Sequence, residues 1–331
     1  MEAAALVGGK LATDLLEVSS DPAVLDSSGI WVAVVPYDGE PVFARFGSWD
    51  PVTPDVGTWR GPNANAWQSS HTQHEYVAAV QEVREQIAAG EVYQVNVCRV
   101  MRAPLPEGAD VLSLATHLAS LHPAPFAAAV RIPGAQIACV SPELFLRRDG
   151  ARLVTGPIKG TAKSAEAFLE KDTAENIMIV DLMRNDIAQV ARTGSVVVDE
   201  LLRVEEHPGL VHLVSDVSCE LRDSATWPEI FDATFPPGSV TGAPKLAATR
   251  IIGELERASR GPYCGAIGIV DADRDWAELA VAIRTFWIAD GYLHFGTGAG
   301  ITWSSDPLAE WSETELKAER LVALASERGG I

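Results

Sequence analysis

A single lysine stands in the turn Gly156-Pro157-Ile158-Lys159-Gly160-Thr161, directly after the strand-like run Ala151-Arg-Leu-Val-Thr155. A turn residue beside glycine lets backbone approach a ligand closely and keeps the side chain out of the core. A lysine held this way becomes a nucleophile when its surroundings lower its pKa from about 10.4. Taken alone, the pattern favours an ordinary exposed turn lysine; the other motifs of the chain reverse that.

Two carboxylate pairs offer a second kind of chemistry. Asp172 and Glu175 are three apart in a helical stretch and share a face, as do Glu310 and Glu313 near the C-terminus. Hard cations such as Mg²⁺ take one or two carboxylates and complete their shell with water and substrate oxygens. Taken alone, each pair favours a solvated helix face, with Glu313 pairing Lys317 one turn on. Arg284, in Ala282-Ile-Arg-Thr285, lies on an otherwise apolar strand, where a guanidinium needs an anion. Glu143, in Ser141-Pro-Glu-Leu-Phe145, precedes another apolar strand and suits a general acid or base. His212 is a lone histidine in a strand and by default a satisfied core residue. Arg184-Asn185-Asp186 closes the apolar run Ile177 to Met183 and suggests a buried ionic network of structural character. Gly238 to Lys245 resembles a phosphate loop but lacks the Gly-Lys-Ser/Thr ending; it is a glycine-rich entry to a helix N-terminus. Gly296-Thr-Gly-Ala-Gly300 has no helix after it, so it is no dinucleotide motif, although its amides suit a carboxylate.

Hydrophobic periodicity supplies the elements that hold these residues. Helices are expected over 74–89, 111–121, 165–191, 243–259 and from 306 to about 327. Strands are expected over 30–35, 41–46, 92–101, 126–132, 137–140, 144–148, 151–155, 195–199, 211–221, 264–270, 278–287 and 292–296. Strands cluster, with helices between clusters, which argues for an α+β fold over a doubly wound sheet. Residues 1–331 read as one domain, with a short strand-rich part over 1–70 and a core over 71–327.

The chain has 331 residues, 47% of them hydrophobic, enough for a large core. Its net charge of −19 repels nucleic acid and anionic membranes, so an anionic ligand needs a local arginine, helix N-terminus or metal. Cys98, Cys139, Cys219 and Cys264 are widely spaced and read as reduced core residues of a cytoplasmic protein. No apolar run approaches the roughly 18 residues that span a bilayer, and the first residues do not read as a signal peptide.

Taken in order, the motifs resemble the chorismate-utilising enzymes. The resemblance runs from about Tyr76 to Ala325 through Gly90-Glu-Val-Tyr-Gln-Val-Asn96, Ser141-Pro-Glu143 and Pro157-Ile-Lys-Gly-Thr161. It continues through 174–186, Thr241-Gly-Ala-Pro-Lys245, Arg260-Gly-Pro-Tyr-Cys-Gly265, Ala282-Ile-Arg-Thr285, Gly298-Ala-Gly-Ile301, Ser305-Asp-Pro307 and Glu310-x-x-Glu313. Isochorismate and salicylate synthases carry a general-base lysine where this chain has Gln94. Anthranilate synthases have alanine where this chain has Lys159, and lysine there looks like aminodeoxychorismate synthase component I.

The resemblance implies an anthranilate synthase component I-like fold: two large, mainly antiparallel sheets packed together with helices outside. It implies a reaction of chorismate with ammonia from a separate glutamine amidotransferase subunit, giving 4-amino-4-deoxychorismate through a covalent lysine adduct. Lys159 would be the nucleophile, Glu143 the proton donor, and His212 and Ser239 neighbours of the ring. Glu175 and Glu313 would hold Mg²⁺, with Asp172 and Glu310 assisting. Arg284, Tyr263 and the backbone at Gly298, Ala299 and Gly300 would fix the substrate carboxylates, and Gly160, Thr161 and Thr241 would line the substrate site. An anthranilate synthase, or an amino-chorismate enzyme of secondary metabolism, is the nearest alternative. Keeping Lys159, Glu175, Arg284 and Glu313 together argues against a silent regulatory subunit.

Overall fold

The computed structural model describes residues 2–51, 57–162, 164, 168, 170–207 and 210–326. Four N-terminal strands come first: β1 (Ala4–Val7), β2 (Lys10–Ser19), β3 (Ile30–Val35) and β4 (Val42–Asp50). The short β5 (Gln68–Ser69) leads to α1 (Gln73–Ala88), which opens on a Thr72/Glu75 capping box. Then come β6 (Gln94–Pro104) and α2 (Val111–Leu121). Five strands follow: β7 (Phe126–Ile132), β8 (Ala135–Ser141), β9 (Leu144–Asp149), β10 (Arg152–Gly156) and β11 (Ile158–Ala162). α3 (Glu170–Ala188) precedes the long hairpin of β12 (Val197–His207) and β13 (Leu210–Glu220). α4 (Trp227–Thr234), β14 (Gly242–Ala243) and α5 (Lys245–Leu255) lead to β15 (Ala266–Asp271) and β16 (Trp276–Val281). β17 (Thr285–Ala289), β18 (Tyr292–Ile301) and α6 (Pro307–Ser326) complete the order.

The strands join in one eighteen-stranded ladder. Followed from neighbour to neighbour it runs β12, β13, β10, β9, β16, β15, β3, β4. It continues β2, β1, β7, β8, β17, β18 and β6. β11 lies against β13 beyond β10, and β5 and β14 lie against β6. All these pairings are antiparallel. The α+β class stands, and the two expected sheets are halves of this ladder, bridged by β4, β2 and β1. The halves pack face to face: Val32, Ala33, Val217 and Ile267 of one share a core cluster with Cys98, Val100, Val130 and Ile137 of the other. The ribbon thus folds back on itself, and its two ends meet.

Three expectations needed correction. The apolar run 278–287 is two strands, because Arg284 adopts φ 52 and breaks the ladder there. Before it, β16 pairs with β15 and β9; after it, β17 pairs with β18 and β8. The strand expected over 292–296 runs on through the glycine-rich residues to Ile301, because each of them pairs with β6. The strand at 195–199 begins later and reaches His207, through charged residues that the period-2 pattern hid. The expected helix start at 165–167, and its residue 169, lie outside the described residues, as does residue 327.

Candidate active site

Lys159 owes its aim to an irregularity. The pairing of β11 with β13 shifts register between Ile158 and Thr161, and Gly160 takes φ +86. Such a bulge re-aims a side chain while pairing continues on both sides. Asp172, on α3, packs against Gly160, so that a methyl there would lie 3.1 Å from its Cβ. The Lys159 ammonium donates to the Ser239 carbonyl at 2.8 Å. Burial lowers its pKa, the carboxylates of Glu175, Glu143 and Glu313 oppose that, and the Lys317 ammonium adds to the lowering.

Glu143 sits between β8 and β9, 4% exposed. Its backbone is stitched to the end of β16: Val281 N–H donates to its carbonyl at 3.0 Å, and its own N–H donates to Ser141 Oγ at 3.1 Å. Burial pushes its carboxyl up to about 7, against hydrogen bonds from the Ser239 hydroxyl and the Ile158 amide and the charge of Lys159. Ser239 therefore touches both groups, the lysine through its carbonyl and the glutamate through its hydroxyl. One glutamate oxygen, Oε1, has no hydrogen-bond partner among the described residues.

The loop that carries Ser239 is heavily braced. Thr241 donates to the carbonyls of Pro237 and Gly238, so its hydroxyl closes the loop on itself. Buried Arg260, paired with Glu256 at 2.6 Å, donates to the carbonyls of Val240 and Asn96. Lys245 bonds the Thr234 carbonyl and the buried Asp186 carboxylate at 2.6 Å. Of the expected Arg184–Asp186 network only Asp186 is buried; Arg184 pairs with Asp181 in the open, since each lies on the outer face of α3.

The opposite end of the ribbon supplies a strand edge. β18 pairs with β6 along its whole length, but with β17 only as far as Phe295. Beyond that the backbone at 296–301 has no strand on its second edge among the described residues. Lys317 Nζ takes the Gly298 carbonyl at 3.1 Å and the Glu313 carboxylate at 2.6 Å. Gly300 lies against both Gln94 and Lys159: a methyl on it would lie 2.5 Å from Gln94 Nε2 and 3.6 Å from Lys159 Nζ. The side chain of Ala299 points the other way, into the core with Tyr76 and Val83. Tyr263 lies beneath Gly296, 5% exposed, with its hydroxyl hydrogen-bonded to the Cys98 thiol. Cys98 and Cys264 are in turn hydrogen-bonded to each other, and all four cysteines are buried and free.

Two helices bring the paired carboxylates. Glu175 is set by its neighbour Asn176, which is buried, donates to the Leu213 carbonyl at 3.0 Å and accepts from Ser215 Oγ at 2.6 Å. That pins α3 to β13. Glu313 is set by Arg99, fully buried under Trp311 at 4.3 Å, donating to Thr314 Oγ1 and paired with Glu315. That pins α6 to β6. Glu310 is 4% exposed and lies near Tyr76, on the buried face of α6, about a sixth of a turn from Glu313. Glu175 and Glu313 both act on Lys159, so α3 and α6 converge there. His212 is buried on β13, opposite Thr161 and Glu205. The side chain of Thr161 lies outside the described residues. Arg284 stands at the start of β17, next to the open edge, half-buried, with Nη1 3.4 Å from His122 Nε2.

The structure therefore gathers Lys159, Glu143, Ser239, Glu175, Glu313 and Gly300. Sequence reading missed Gln94 as a neighbour of Gly300, Lys317 as the link between Glu313 and the strand, and the bracing pair Asn176 and Arg99. Lys317 carried a signal, its i+4 spacing from Glu313; the others depend on long-range packing.

A buried lysine with a lowered pKa, a protonatable carboxyl and an open strand edge lie together here, an arrangement suited to nucleophilic and acid–base chemistry. Residues 53–323 match the family described as chorismate binding enzyme. The chain belongs to that family. It is 38% identical over 270 residues to aminodeoxychorismate synthase component 1 of Salmonella typhimurium, covering 78% of this chain and 59% of that one. It is 37% identical over 273 residues to anthranilate synthase component 1 of Aquifex aeolicus, covering 79% and 55%. The chain thus spans somewhat over half the length of these relatives. Its fold matches anthranilate synthase component I from Streptococcus pneumoniae with a TM-score of 0.78 and 25% identity, over 89% of this chain and 81% of that one. It also matches the menaquinone-specific isochorismate synthase from Escherichia coli with a TM-score of 0.82, at 16% identity, over 99% and 89%. Among the described residues no helix is long and apolar enough to cross a membrane.

Proposed function

We propose that this chain acts as an aminodeoxychorismate synthase component I, converting chorismate and ammonia to 4-amino-4-deoxychorismate. The observation that carries this is Lys159: a lysine with a lowered pKa whose ammonium shares one residue, Ser239, with a carboxyl poised near 7. A nucleophile and a proton donor are thereby supplied together. The neutral Lys159 amine adds to ring C2; the double bond shifts, and the C4 hydroxyl leaves as water with the Glu143 proton. The lysine nitrogen gives up a proton to the Glu143 carboxylate. Ammonia then adds at C4, the double bond shifts back, and the C2–N bond breaks as the lysine nitrogen takes that proton from Glu143, releasing Lys159 as the neutral amine; the new C4 ammonium returns a proton to Glu143. Arg284 and the amides at the open β18 edge hold the substrate carboxylates.

Glu175 and Glu313 are hard oxygen donors from separate helices and fit Mg²⁺, although among the described residues no three acidic, histidine or cysteine side chains form a closed cage. One or two carboxylates suffice for that ion, and when bound it neutralises the charge of a substrate carboxylate. Ammonia comes from a separate glutamine amidotransferase in this reading. Relatives of equal identity include anthranilate synthases, but direct amination at C2 leaves Lys159 without a role.

Mass spectrometry of products formed from chorismate, Mg²⁺ and ammonium tests the proposal. The expected product is 4-amino-4-deoxychorismate, lost with EDTA and restored with Mg²⁺. Anthranilate or isochorismate as the main product overturns the reading, and full activity in EDTA overturns the metal assignment.

A further inference from the structure

We propose that His122 is a positioning residue for Arg284, fixing which edge of the guanidinium is presented to the substrate carboxylate. The inference rests on the reading of Arg284 as a carboxylate-holding residue. Arg284 pairs with no carboxylate among the described residues, and burial alone lowers its pKa. Its backbone is in the left-handed region at φ 52, which is costly for a long side chain and is held by Val140 N–H donating to the Arg284 carbonyl at 3.1 Å. A strained arginine without an anion has its side chain directed by whatever neighbour can accept from it, and that neighbour is His122.

The direction of that bond follows from chemistry. Arginine has donors and no acceptor. His122 Nε2, 3.4 Å from Arg284 Nη1, is therefore the acceptor, and Nδ1 carries the proton. The neutral ring this requires is secured by its surroundings: burial, then the charges of Arg284 and Arg320, push His122 down to about 4. With Nη1 engaged, Nη2 and Nε remain for a bidentate carboxylate.

His122 is itself held from two sides. Its N–H donates to the Leu118 carbonyl at 2.7 Å, ending α2, and Arg320 of α6 donates to the neighbouring Leu121 carbonyl at 2.9 Å. Glu313, Lys317 and Arg320 follow at i, i+4 and i+7 along one stripe of α6. The stripe runs from the Glu313 carboxylate past the Gly298 carbonyl to the end of α2. The helix that carries the acidic group at one end of the site thus sets the histidine at the other.

The test compares His122→Phe, which keeps a ring and loses the acceptor, with His122→Gln, which restores one. His122→Leu replaces His122→Phe if the latter does not fold. Steady-state kinetics with chorismate and ammonium, and calorimetric titration with chorismate, are the readouts. For His122→Phe the KM and Kd for chorismate should rise about tenfold, the scale of a lost hydrogen bond to a charged group, with kcat within about twofold. His122→Gln should recover most of the loss. Combined with Arg284→Lys, the effects should not add, since both remove one arrangement. A KM unchanged in His122→Phe but raised in Arg284→Lys overturns the positioning role while leaving Arg284 in place. A KM unchanged in both overturns the reading of Arg284 itself. Equal losses in His122→Phe and His122→Gln, with a matching fall in Tm, make the residue structural only.

Discussion

The two ends of the β-ribbon meet at the site but are built on different physics. At the β11–β13 end burial dominates: Lys159, and Glu143 brought to it from between β8 and β9, sit in surroundings that displace both from their ordinary pKa, and a braced loop contacts each of them. The β6–β18 end is a strand edge with no strand on its second side beyond Phe295 among the described residues, flanked by the charged stripe of α6. Its ion pair, Lys317 with Glu313, is about half exposed. Burial generates reactivity at the first end because it disfavours charge on both groups. The second end recognises by offering hydrogen bonds and charge to a ligand that arrives with its own. Damage at the first should appear in kcat and at the second in KM, with Gly300 between them.

Lys159→Ala should have the largest effect, a loss of 4-amino product of at least about a hundredfold, as for removal of a covalent nucleophile. Incubation of the unaltered protein with chorismate and Mg²⁺, without ammonia, should leave a mass adduct on the peptide containing Lys159. If Lys159→Ala keeps the parent rate, the lysine is only a turn residue and the contrast between the two ends collapses.

Glu143→Gln should lower kcat roughly ten- to a hundredfold, the range for a general acid, with little change in KM. It also has a signature in pH. The folded carboxyl titrates at about 7 against an ordinary value of 4.5. The folded protein therefore binds more protons than the unfolded chain between those values, and stability falls as pH rises through that window. Glu143→Gln should remove this dependence, so that above pH 7 its Tm exceeds that of the parent by about 3 °C, a shift of the size one buried group produces. A parallel fall of Tm with pH in both proteins counts against the buried acid.

Much of this was legible in the sequence, and the reason is local. Lys159 announces itself because its turn chemistry lies within six residues, and Glu175 and Glu313 because helical spacing puts each on a face with its partner. Thr241, Tyr263 and Ala299 were named for the same motifs, yet their side chains serve the loop, the layer beneath Gly296 and the core. In the latter two the backbone nearby remains at the site. A motif fixes position along the chain; it does not say which way a side chain turns. The break at Arg284 was hidden because the residues around it are apolar on both sides and only a left-handed φ separates two strands. The extension of β18 through Gly296–Gly300 was hidden because glycine weakens a strand signal, and its pairing comes from β6, almost 200 residues earlier. Gly300 beside Lys159 needs both ends of the ribbon to meet, which no local pattern contains.

Gly300→Ala tests the junction. The added methyl would lie 2.5 Å from Gln94 Nε2, so the end of a flexible side chain must move, and 3.6 Å from Lys159 Nζ, an ordinary contact. The fold should survive, and kcat/KM should fall about tenfold, since a displacement near 1 Å at a reacting centre is costly. A loss confined to kcat assigns Gly300 to the reactive end; a loss confined to KM assigns it to the recognition edge.

The smallest effect belongs to Lys317→Gln. Its ion pair with Glu313 is i to i+4 on one helix, with side chains 51% and 48% exposed, so its removal should change stability by less than about 1 kcal/mol. Its ammonium also holds the Gly298 carbonyl, at the edge assigned to the substrate carboxylates. Glutamine can still donate there but brings no charge. The KM for chorismate should therefore rise about threefold to tenfold, the scale of one partly screened charge, while kcat stays within about twofold. The rise should shrink as salt is increased, because the parent loses its advantage under screening. Lys317 also lowers the Lys159 pKa, so the alkaline rise of kcat should move slightly upward in pH when it is removed. A kcat that falls in step with affinity would mean that the charge at the recognition edge is tuning the nucleophile more than it holds the substrate, and the two ends would have to be treated as one electrostatic unit.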